Sequence, residues 1–142
     1  MHLEIKQRER EGIVLFDLKG RIIAGDEVGA LRTAIEAVET EAVPQDGGPK
    51  VILNLHGVDY IDSSGLGTMV MCQMRLKKIS GVAKLAYLNR RNLELLLLTK
   101  IDTIFEVFDD ETEAINSFFP EREIRRFDIL AFVKQLKEDK KQ

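Results

Sequence analysis

The stretch Lys50-Val51-Ile52-Leu53-Asn54-Leu55-His56-Gly57-Val58-Asp59-Tyr60-Ile61-Asp62-Ser63-Ser64-Gly65-Leu66-Gly67 decides the fold. Its first six residues are almost continuously apolar and rich in β-branched side chains, as expected of a strand covered on both faces and so central in its sheet. From Val58 to Gly67 the chain passes from strand to helix. Ser63 or Ser64 falls where the helix N-cap is expected, and Asp62, Ser64 and Gly65 are residue types that support a helix start.

Working outward, the N-terminal side reads as two short strands, Leu3 to Ile5 and Ile13 to Leu18, with Glu11-Gly12 as the turn between them. From Asp26, taken as an N-cap, the spacing of Val28, Leu31, Ile35 and Val38 predicts a helix. Pro44 to Pro49 then breaks the chain into a loop. On the C-terminal side the helix begun at the serines runs to about Ser80 and is ended by Gly81, and Val82 to Leu88 is a strand. Arg91 to Thr99 is a third helix, Ile104 to Phe108 a last strand and Glu111 to Phe118 a fourth helix. Strands and helices alternate through the second half, so the expected class is α/β with a mixed sheet of four to five strands and about four helices.

The bulk composition fits one domain. With 142 residues, 44% hydrophobic and 32% charged, the chain can bury a core but is short for two ordinary domains and a linker. A net charge of −3 with both signs interspersed gives no basic field for nucleic acid. No apolar run reaches the length of a membrane span and the N-terminus has no signal pattern, so a cytoplasmic protein is expected. Cys72 is the only cysteine and His2 and His56 the only histidines, which excludes an internal disulfide and leaves metal chemistry poorly supplied. No metal site or cofactor is expected.

A serine at a helix start can also carry chemistry. Free backbone N–H groups and the positive end of the helix dipole favour negative charge there, so a phosphate on Ser63 or Ser64 is locally tolerated. Such a group adds about −1.5 to −2 charges beside Asp62 and alters the surface without unfolding it. Only a partner that binds the two forms differently can read the change. The tetrapeptide alone reads first as a cap-and-turn cluster.

The wider pattern goes further. Val51 to Leu76, with its buried strand, Asp62-Ser63-Ser64-Gly65-Leu66-Gly67 and following helix, resembles the STAS family and within it the anti-sigma factor antagonists. The resemblance continues through Leu93 to Thr99, Ile104-Phe105 and Phe108 to Ala114, and covers about Leu3 to Phe119. It implies a STAS domain over residues 1–119 and a C-terminal, helical extension over 120–142. It also implies that Ser63 is phosphorylated by a serine kinase that doubles as the anti-sigma factor, and that a metal-dependent serine phosphatase reverses this. The unphosphorylated form then sequesters the kinase, and the chain is a binding module, not an enzyme. Two departures stand out. Gly20-Arg21-Ile22-Ile23-Ala24-Gly25-Asp26 replaces the family's frequent Gly-Glu-Leu-Asp, so nucleotide binding is not carried over. Lys100 follows Thr99 where a glycine usually ends the third helix.

On the helix after the motif, Leu66, Met69, Cys72, Leu76 and Ile79 share one face, read as core. Val70 and Met74, near Gln73 and Lys77, read either as boundary packing or as a partner-binding patch with Lys77. Cys72 reads as an inert core thiol, and His56 as a residue following the strand. In the tail, Ile124, Phe127, Leu130 and Ala131 would lie on one helical face and Ile129, Phe132, Val133 and Leu136 on the other, which leaves open a helix packed on its own domain or a homodimer contact. No Gly-x-Ser-x-Gly elbow or phosphate-cradling Lys-Ser/Thr loop is present. The rival function is a structural STAS subunit of a signalling scaffold or membrane transporter complex whose Ser63 is never modified.

Overall fold

In the computed structural model, which describes residues 3–41, 48–122 and 129–140, the apolar run grows into a twelve-residue strand, β3 (Lys50–Ile61), at the centre of a five-stranded sheet. Before it, β1 (Glu4–Arg10) and β2 (Ile13–Ile22) form an antiparallel hairpin. Glu11 and Gly12 both take positive φ, 53° and 80°, the left-handed pair that a tight two-residue hairpin turn requires. Every later pairing is parallel: β2 with β3, β3 with β4 (Val82–Ala86), and β4 with β5 (Val107–Phe108). Parallel neighbours need crossovers. These are supplied by helices α1 (Asp26–Glu41), α2 (Ser63–Lys78) and α3 (Arg90–Leu98), and α4 (Glu111–Asn116) and α5 (Ile129–Lys140) follow.

The sheet is covered on both faces, and β3 shows why its sequence does not alternate. Val51, Leu53, Leu55, Val58 and Ile61 join a large core with Leu31 and Ile35 of α1, Leu66, Met69 and Leu76 of α2, and Leu93 and Leu96 of α3. Ile52 points into a smaller core with Ile13, Leu15, Phe108 and Ala114 and Ile115 of α4. Each such large side chain, fully buried, contributes about 1.5–3 kcal/mol of transfer free energy.

The structure corrects several local readings. Asp26 lies inside α1 and not before it: Gly29 N–H already bonds to Gly25 O at 3.2 Å. The last strand shrinks to two residues, because Ile101–Thr103 forms a 3₁₀ turn and Phe105 is drawn into the large core. At the end of α2, Ser80 takes the left-handed position (φ 63°), while Gly81 N–H closes onto Leu76 O at 2.8 Å. Gly81 is needed for a different reason, since a Cβ there would lie 2.6 Å from Pro49 O. Ile79 is exposed and not core. At the end of α3 the missing glycine is replaced by Lys100 itself, left-handed at φ 61°. His56 sits within β3, exposed and edge-on to Tyr87 at 5.5 Å.

Among the described residues of the tail Ile129–Lys140 is helix, while Ile124 and Phe127 lie outside the described residues, as do Pro44 to Gly47. Phe132 packs against the large core and Asp139 pairs with Arg90, whereas Leu130 is 83% exposed. Phe132, on one of the two expected apolar faces, thus meets the domain, while Leu130, on the other, stands in solvent.

Candidate functional site

The start of α2 is built by Asp62. With extended backbone (φ −92°, ψ −179°), its Oδ1 accepts from Gly65 N–H at 2.7 Å, which satisfies one of the free donors of the first turn. Its Oδ2 accepts from Ala24 N–H at 3.0 Å, and its own N–H donates to Ile22 O at 3.2 Å. One side chain thus caps the helix and ties it to the segment leaving β2. Gly65 completes the fit because a Cβ there would stand 2.1 Å from Ile22 O.

This geometry divides the motif into two kinds of residue. Asp62 and Gly65 hold the fold. Ser63 and Ser64 are the first residues of α2, both exposed, and neither hydroxyl makes a hydrogen bond among the described residues. The cap expected of Ser63 or Ser64 is therefore made by the aspartate, whose two oxygens reach two donors at once.

The patch read from the sequence lies in line with Ser63. Positions 63, 67, 70, 74 and 77 follow each other at helical spacing on one stripe. Ser63, Gly67, Met74 and Lys77 are exposed, and Val70 is half-buried against the large core. Met71 and Lys78 flank the stripe; Met71, 41% exposed, was not singled out by spacing because its neighbours Leu66 to Cys72 are mostly core. Gln73, three residues after Val70 and four before Lys77, borders the stripe on its buried edge. It is buried, with Oε1 accepting from Ala83 N–H at 2.8 Å and Nε2 donating to Ala83 O at 3.0 Å and Ile104 O at 3.2 Å, and so fixes α2 to β4.

On its other flank Ser63 borders a groove of about 360 Å³ between the end of β3, the start of α2 and α3. Tyr60, Leu66, Leu95 and Leu98 give it an apolar lining, and the Arg91 guanidinium lies 4.7 Å from the centre of the Tyr60 ring. Leu98 is 72% exposed.

The remaining candidates have structural roles. Cys72 is buried, and desolvation pushes its thiol up to about 11, so little thiolate exists near neutrality. Among the described residues no three His, Cys, Asp or Glu side chains are grouped to hold a metal ion, and no helix is long and apolar enough to cross a membrane.

The sequence model of the STAS domain family matches residues 4–114. Solved structures with this fold include an anti-sigma factor antagonist from Mycobacterium paratuberculosis, 21% identical over 81% of this chain and 92% of its own, with a TM-score of 0.69. The anti-sigma factor antagonist SpoIIAA in its unphosphorylated form is 16% identical over 84% and 99%, TM-score 0.60, and the phosphorylated form of Bacillus SpoIIAA is 18% identical over 81% and 99%, also 0.60. The murine Slc26a9 anion transporter is 16% identical over 76% of this chain but only 18% of its own, TM-score 0.61. At these identities the likeness speaks to the fold.

Proposed function

This chain belongs to the STAS domain family, and from that premise we propose that it is an anti-sigma factor antagonist, a protein-binding module that holds a serine kinase/anti-sigma factor while Ser63 is unphosphorylated and releases it afterwards. The observation that carries this is the division of labour at the start of α2. Asp62 does the capping, so the exposed Ser63 hydroxyl has no structural task. A cap serine would lose its bond on modification; Ser63 has none to lose.

The stripe Val70, Met74 and Lys77 is the docking surface in this reading. It runs from the phosphosite along α2, and methionine adapts to a partner's contour. A phosphate at its N-terminal end adds about −1.5 to −2 charges without disturbing the core, and weakens the partner by repulsion and desolvation. A metal-dependent phosphatase restores the binding form. The phosphorylated form of a relative with the same fold supports a fold that tolerates the modification.

Incubation with the cognate kinase and ATP, followed by peptide mass spectrometry, should place phosphate on Ser63. Phosphate on Ser64 alone would move the site by one residue and sink the assignment. Co-purification of a transporter with Ser63 unmodified would favour the structural-subunit reading that the Slc26a9 likeness raises.

A further inference from the structure

Ser63 shares its groove with a cation that has no carboxylate partner among the described residues. Arg90 and Arg91 open α3 side by side, and Arg90 is ion-paired with Asp139. Arg91 is exposed, and its guanidinium rests over the Tyr60 ring on the groove wall. A cation–π contact at an exposed site is weak. A planar guanidinium offers paired donors that fit two oxygens of a phosphate, a stronger and more directional contact. The groove's volume, about 360 Å³, leaves room for the side chain to swing from ring to phosphate.

We infer that Arg91 is the internal receptor of the modified site: when Ser63 carries phosphate, Arg91 leaves Tyr60, pairs with the phosphoryl oxygens and closes the groove. This rests on Ser63 being the residue modified. Modification then does more than add charge to the α2 stripe. It also bridges α2 to α3 and uncovers the Tyr60 face, so the two forms present different surfaces on both flanks of the serine. Asp62 and Glu94 face the same groove and oppose phosphate ionisation, but both Asp62 oxygens are already occupied by the Gly65 and Ala24 N–H groups.

The test uses the full chain with phosphoserine installed at position 63 during translation, so that no kinase is needed. Phosphorus NMR then follows the second ionisation of the phosphate. It should lie about half a unit lower in the otherwise unchanged protein than with Arg91→Gln, with Arg91→Lys in between. Arg90→Gln should leave the titration where it was. The Tyr60 ring protons should shift on phosphorylation only when Arg91 is present. Superimposable titrations with and without Arg91, or an equal effect of Arg90→Gln, would overturn the pairing. Because the phosphoserine is installed during translation, without a kinase, such a result leaves the kinase mapping of Ser63 standing, and a failed kinase mapping leaves this pair measurable.

Discussion

Two helices of this chain begin alike and differ in the residue that follows the cap. Asp110 caps α4 by accepting from Glu113 N–H at 2.8 Å, as Asp62 caps α2 by accepting from Gly65 N–H at 2.7 Å. At α4 the next residue, Glu111, is ion-paired with Arg8 and Arg10, tying the helix to β1. At α2 the next residue is Ser63, exposed and with no hydroxyl hydrogen bond among the described residues. The caps are structural in both places. The difference is that one first turn is closed by internal pairs and the other is left exposed.

The comparison can be broken at its most constrained point first. Gly65→Ala sets a methyl against Ile22 O and should cost about 3 kcal/mol in urea unfolding, since backbone must move to admit it. A loss of a few tenths would mean that the segment after β2 is not tightly held. Next, Asp62→Ala should cost about 2 kcal/mol and Asp110→Ala about 1 kcal/mol, because Asp62 satisfies two backbone donors and Asp110 one. The reverse order would deny Asp62 its double role.

Glu111 supplies the pH arm. Hydrogen bonds from Arg8, and then from Arg10, hold its carboxyl below the ordinary 4.5, and a hydrogen bond from Arg8 likewise lowers Asp17 below 3.8. A depressed folded value means stabilisation that is complete above the ordinary value and lost as pH falls through the folded one. Glu111→Gln should therefore cost about 1 kcal/mol at neutral pH, discounted for partial exposure, and flatten the stability loss below pH 4.5. An unchanged acid limb would contradict the pairing. Smallest of all, Ser63→Ala should change stability by less than about 0.5 kcal/mol, whereas a true cap would cost about 1 kcal/mol.

The sequence revealed the fold through strong local signals: the β-branched run of β3, the Glu11-Gly12 turn and the helical spacing of α1 to α3. It misplaced what depends on distant contacts. Gly81 looks like a helix terminator, but its need comes from Pro49 across the chain. Ile104 and Phe105 have strand chemistry, yet the large core takes Phe105 and leaves β5 two residues long. At the site, the order Asp-Ser-Ser-Gly showed that a helix starts there, while which side chain does the capping was decided by Ala24, 38 residues upstream, giving Asp62 a second donor. Arg91 carried no sequence signal, because its place on the groove that Ser63 borders exists only once α3 is packed against the end of β3.

The most direct measurement is calorimetric titration of the serine kinase proposed as partner with this chain, unphosphorylated and phosphorylated at Ser63. A switch predicts affinity at least about tenfold weaker for the phosphorylated form, roughly 1.4 kcal/mol. Equal affinities for the two forms would contradict it.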